Sequence, residues 1–144
     1  MLDPCTLTIS VEADSGCRVA DNPAWACRAE SAFTDAFLGD YLPAHVTENQ
    51  AQMMAIIRVL EYAMRTKEFI GFDSVLIRSS SKYAVSKFRK GKSDEDKELV
   101  KRFAELKDQL GCEVTLKCVA PVALDDFIYG GSYRDDDETE AATC

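Results

Sequence analysis

Residues 73–77 read DSVLI, an apolar run with no polar face, set between a long helical pattern at 47–65 and a second one after residue 79. A strand without a polar face is buried on both sides, which is the environment of a central strand in a sheet covered by helices. The stretch CTLTISVEAD at 5–14 behaves differently. Cys5, Leu7, Ile9, Val11 and Ala13 face one way and Thr6, Thr8, Ser10, Glu12 and Asp14 the other, a period of two that predicts a strand with one apolar face. AWACRAESAF and AFLGDYL, within 24–42, are weaker strand candidates, so the first three strands form an antiparallel meander.

Thr47 followed by Gln50 is a capping-box signature, and Met53, Ile56, Ile57, Leu60 and Met64 then recur at helical spacing. A second helix is predicted to begin within the serines 79–81 and to stop at Gly91, and Ser93 with Asp96 marks the start of a third. In that third helix Leu99, Phe103, Leu106 and Leu110 form the apolar stripe. CEVTLKCV at 112–119 alternates again, ALDDFIYGG at 123–131 is a short terminal helix, and 132–144 is an acidic, flexible tail. The order β-β-β-α-β-α-α-β-α implies an α/β fold over residues 1–131, a five-stranded mixed sheet flanked by helices.

No apolar run is long enough to span a membrane and the N-terminus lacks the layout of a secretion signal, so an intracellular protein is expected, nuclear or cytoplasmic. The six cysteines form no CxxC pair and one histidine, His45, is available. Cys5, Cys112 and Cys118 fall on apolar faces, so buried free thiols are expected rather than a zinc or redox site. His45 reads as a surface loop residue. The net charge of −8 disfavours nucleic acid, but residues 78–107 hold ten Lys/Arg against five acids, a net +5 that leaves −13 elsewhere. Such a split gives an acidic protein one basic face; its plainer meaning is the wet sides of two helices.

Several motifs, in the right order, resemble ribonuclease H type 1, most of all its fungal-like branch. ADSGC at 13–17 is similar to the end of that family's first strand, TENQAQMMAIIRVLE at 47–61 to the opening of its central helix, and IRSSSKYAV at 77–85 to its IYTDSKYVV segment. CEVTLKCVAPVALDDFIYGG at 112–131 resembles its last strand and the helix after it. The resemblance implies a ribonuclease H-like fold and cleavage of the RNA strand of RNA–DNA hybrids, with two magnesium ions held by four carboxylates. Such an arrangement needs anionic oxygens around two divalent ions about 4 Å apart.

Carried over by position, the four carboxylates fall on Asp14, Gln52, Ser80 and Asp126, with Asp125 an alternative register for the last. Two of four are neutral, and the family's catalytic histidine has no match. The resemblance therefore implies a degenerate, catalytically inactive domain, a pseudoenzyme that binds an RNA/DNA hybrid, an RNA or a protein partner. No cofactor is expected. The alternative is an active hybrid ribonuclease with an altered site, holding Mg²⁺ on Asp14 and Asp126 with help from Glu12. In the plainer reading Glu12 is a strand-face charge and Glu48 an acid at a helix N-terminus. Asp73 lies at the wrong end of its strand. The family's substrate contacts correspond to Cys17, Asn22, Asn49, Gln50, Ser81 and Lys82, and its basic region to 82–92 with Lys87, Arg89 and Lys90. Tyr83 and Phe88 read as packing. Ser80 is expected to cap the helix after it.

Overall fold

A computed structural model describes residues 6–15, 22–32, 34–91 and 95–121. The elements run β1 (Thr6–Asp14), β2 (Ala24–Ser31), β3 (Thr34–Tyr41), α1 (Glu48–Ile70), β4 (Ser74–Ser79), α2 (Lys82–Lys90), α3 (Lys97–Leu110) and β5 (Glu113–Cys118). They form one five-stranded sheet in the order β3-β2-β1-β4-β5. β1 pairs antiparallel with β2 and β2 with β3, whereas β1–β4 and β4–β5 are parallel. The expected terminal helix, with Asp125 and Asp126, and the tail at 132–144 lie outside the described residues.

The core follows from the two periodicities. Leu7, Ile9 and Val11 of β1, Val75 and Ile77 of β4, and Leu116 of β5 share one sheet face and are buried. α1, about 35 Å long at 1.5 Å per residue, presents Met53, Ile56, Ile57 and Leu60 as buried residues. Its buried arc extends to Ala51, Ala55, Val59 and Ala63. The small residues among these let it contact both the sheet and α3. α3 contributes Val100, Phe103, Leu106 and Leu110, and the Phe103 ring stacks on Phe88 of α2 with centroids 4.4 Å apart.

Helix ends follow local rules where local groups decide. Thr47 and Gln50 form both bonds of the capping box, and a cap of this kind contributes about 1 kcal/mol. Gly91 closes α2 at φ 71°, in the left-handed region where glycine carries no steric penalty. Two expectations are corrected. α3 starts at Lys97 with Asp96 as N-cap, in a left-handed conformation and without a side-chain cap bond. The Asp96 carboxylate instead accepts from the Tyr83 hydroxyl at 2.9 Å. The cap of α2 is Ser81, whose hydroxyl accepts from Ala84 N, so Ser80 is left for another role.

The cysteine expectation also changes. Cys27 is a buried free thiol, pushed up to about 12 by burial, and Cys112 is free and half-buried. Cys118 is disulfide-bonded. Alternation places Cys118 on the buried face, but it carries no information about which cysteine the fold brings beside it.

Candidate nucleic-acid interface

β1 and β4 run parallel side by side, yet the sheet grows from β1 toward β2 and from β4 toward β5. The chain therefore leaves their C-terminal ends in opposite directions, and the crevice this opens is where α/β sheets bind ligands. Val11 is level with Ser79 in the last register pair. One step further, Glu12 and Ser80 face each other, and the first turns of α1 close the crevice from above.

Three side chains meet there. Glu12 is buried, and its Oε1 accepts from Gln52 Nε2 at 2.7 Å. The Ser80 hydroxyl donates to Glu12 Oε2 at 2.9 Å and Oε1 at 3.1 Å. The backbone N–H of Ala13 adds a third donor at 3.2 Å. Gln52 Nε2 also donates to the Ala13 carbonyl at 3.1 Å, and since both its partners are acceptors, the amide orientation is fixed. Its Oε1 is buried without a hydrogen-bond partner among the described residues.

Gln52 and Ser80, expected beside Asp14, thus bond to Glu12, two residues earlier. The only sequence signal for this was a second acid on the same strand face. Asp14 is half-buried at the end of β1. Glu48, one turn before Gln52, accepts from Ser15 N at 3.0 Å and ties the end of β1 to the start of α1. A pair of divalent ions does not fit these donors. Among the described residues Glu12 is the buried carboxylate, and it already accepts from three donors, while positions 52 and 80 supply an amide and a hydroxyl. Among the described residues no three His, Cys, Asp or Glu side chains gather as an ion site.

The other expected positions divide by location. Asn22 and Asn49 are exposed, at the start of β2 and the first turn of α1, at the crevice end of the sheet. Ser81 and Lys82 open α2 at the same end, with Lys82 exposed. Gln50 is occupied twice, by the capping box and by a 3.5 Å contact from its amide to Asp96. Lys87 lies over the Tyr83 ring, 5.2 Å from its centroid, and Lys90 is exposed. Arg89 donates to the carbonyl of Leu116 in β5. Cys17, Lys92 and Asp126 lie outside the described residues. His45 is exposed and Asp73 sits at the opposite end of β4.

Arg78, counted on the basic face, is buried in β4, and Arg102 pairs with Glu61 at 3.3 Å. The three cations in the last turn of α2 also complement its dipole, so part of the charge asymmetry is helix chemistry. Tyr83 ties α2 to the start of α3. Its hydroxyl is pushed up to about 12, first by the hydrogen bond to Asp96, then by desolvation and by the charges of Asp96 and Glu95. The raised value means that the protonated hydroxyl stabilises the fold below pH 10, and that this contribution is lost as pH rises through 12. Burial also raises the Tyr62 hydroxyl, so an ultraviolet titration of the five tyrosines should show late phenolates of which Tyr83→Phe removes one. A late-titrating signal that is undiminished in Tyr83→Phe would refute the assignment.

No protein-family model matches the chain, and no curated protein matches its sequence. Solved structures do match. The ribonuclease H1 of the halophilic archaeon Halobacterium salinarum superposes with a TM-score of 0.62 at 20% identity, covering 96% of this chain and 98% of that one. LC11-RNase H1 in complex with an RNA/DNA hybrid gives 0.64 at 17% identity, covering 95% and 91%. The N-terminal RNase H domain of a Mycobacterium tuberculosis protein gives 0.62 at 19% identity, covering 95% and 97%. These three do not single out a fungal-like branch. The chain has the ribonuclease H-like fold.

Proposed function

We propose that this chain is a nucleic-acid-binding module on a ribonuclease H-like scaffold that does not hydrolyse its ligand, and that Glu12 rather than Asp14 takes the first carboxylate position. The observation that carries the reading is the hydrogen-bonded network of Glu12 with Gln52 and Ser80. A carboxylate with three donors is stable in a buried site and does not need a cation. Exposed Asn22, Asn49 and Lys82 beside the crevice, with Lys90 on the same helix as Lys82, are the groups that remain to meet a backbone and its 2′-hydroxyls. The likeness to a structure bound to an RNA/DNA hybrid supports that ligand class.

One observation favours a second reading, an active hybrid ribonuclease with a single-ion site. Among the described residues the Gln52 Oε1, an oxygen on the side chain that bonds Glu12, has nothing to accept from.

Incubation of a labelled RNA–DNA hybrid with Mg²⁺ or Mn²⁺ separates the two. The module reading expects binding that weakens steeply with salt and falls in a Lys82→Ala, Lys90→Ala variant, with no cleavage. Turnover that vanishes in Glu12→Gln would establish the ribonuclease. Absence of hybrid binding at low salt would overturn the module.

A further inference from the structure

The two edges of the sheet are treated differently. At β5, Val119 N donates to Ser79 O at 2.9 Å, so residues 117 and 115 turn their backbone groups toward β4 and Leu116 turns its own outward. Arg89 donates to that outward carbonyl and covers the edge. At β3 the ladder to β2 continues past its end, with Leu42 N donating to Pro23 O at 2.8 Å. Alternation then turns the backbone groups of residues 35, 37, 39 and 41 outward. Tyr41 N–H is taken by its own neighbour, Asp40, at 2.7 Å. Asp35, Phe37 and Gly39 have no backbone partner on that side among the described residues.

Native sheets cover, charge or interrupt such an edge unless it is used. Here the side chains beside it favour use. Phe37 and Tyr41 are 45% and 63% exposed and lie on the same face of the strand. Gly39 between them leaves a notch, and the position accepts no side chain, because a Cβ would come within 2.9 Å of the Trp25 carbonyl. Arg28 stacks 5.0 Å over the Phe37 ring and holds Asp35 in a two-pronged ion pair, which stiffens the strand in its extended form.

Charge selects the occupant. β2 and β3 together carry Glu30, Asp35 and Asp40 against a single cation, Arg28, which is already paired. A second copy would set one acidic edge against another, on chains of net charge −8 each. We propose that the free edge of β3 accepts an extended, lysine- or arginine-bearing segment of another protein as a sixth strand. Main-chain bonds to Phe37 and Gly39 supply the affinity. Asp35, Asp40 and the aromatic pair select side chains at alternate positions. This proposal is independent of the crevice and its ligand.

The test uses the full chain and two fluorescent peptides as long as β3, one alternating lysine with valine and one alternating glutamate with valine, at physiological ionic strength. The basic peptide should bind and the acidic one should not. Phe37→Ala removes the aromatic contact, whereas Phe37→Pro also removes the outward N–H without touching the ladder to β2. The proline variant should therefore bind about tenfold more weakly than the alanine variant, a difference of about 1.4 kcal/mol. Both variants should keep the native circular dichroism spectrum, and Asp40→Asn, which removes the charge while keeping an oxygen for Tyr41 N–H, should weaken the basic peptide as well. Equal binding by the proline and alanine variants would overturn the proposal, as would equal binding of the two peptides. Self-association that Phe37→Pro abolishes would assign the edge to a second copy instead.

Discussion

Converting both neutral positions at once, Gln52→Glu with Ser80→Asp, should make the fold depend on a divalent cation. Gln52 Nε2 and Ser80 Oγ lie 2.7 Å and 2.9 Å from the Glu12 carboxylate. The double substitution sets three carboxylates against one another where there are now donors and one acceptor. At an effective dielectric near 20, a pair of like charges about 4 Å apart costs about 4 kcal/mol before relaxation or protonation. In chelator the variant should melt well below the parent, and Mn²⁺ or Mg²⁺ should restore much of the loss while leaving the parent's melting point unchanged. Given the metal and a labelled hybrid, the same variant should cleave, and on the proposed reading the parent should not. Melting curves that ignore the metal in both proteins would show that positions 52 and 80 do not share a site with Glu12.

Removing the acceptor is the opposite experiment. Glu12→Ala leaves Gln52 Nε2 and the Ser80 hydroxyl facing a gap, with Gln52 held inside the fold at 7% exposure. Stranding buried donors and losing a charge-assisted acceptor costs about 2–4 kcal/mol, and Glu12→Gln, which keeps an oxygen in place, about 1 kcal/mol. Urea unfolding should show the alanine midpoint falling by the larger amount with an unchanged slope. If alanine and glutamine variants unfold alike, the carboxylate is not the keystone of this crevice.

What the sequence made legible was local or periodic. Thr47 and Gln50 sit three residues apart and cap each other, so their pairing needed no tertiary knowledge. DSVLI reported the burial of Val75 and Ile77, although Ser74 and Leu76 on the other face are only half-buried and Asp73 is exposed. The alternation along β1 put Leu7, Ile9 and Val11 in the core. The partners of Glu12 were not legible in this way. Ser80 is 68 positions away and Gln52 is 40; the parallel register of β1 with β4 sets the first opposite Glu12 rather than Asp14, and the packing of α1 on β1 brings the second. A strand period of two cannot choose between residues 12 and 14, since both point to the same face.

Ser80 was misread for a related reason. Three serines in a row each offer a cap, and the choice of Ser81 follows from where β4 ends and from the pull of Glu12 on Ser80. Asp96 likewise had a local helix-start signature, but Tyr83, thirteen residues back, took its carboxylate. Arg78 read as part of a basic surface because it begins a cation-rich stretch, although its place in a central strand buries it.

The central claim is that a hydrogen-bonded network occupies the crevice in place of a pair of ions, and diffraction from crystals soaked in Mn²⁺ tests it most directly. The account predicts Gln52 and Ser80 still bonded to Glu12, with no pair of anomalous peaks beside them. Two peaks about 4 Å apart against the Glu12 carboxylate, with Ser80 swung away, would contradict it.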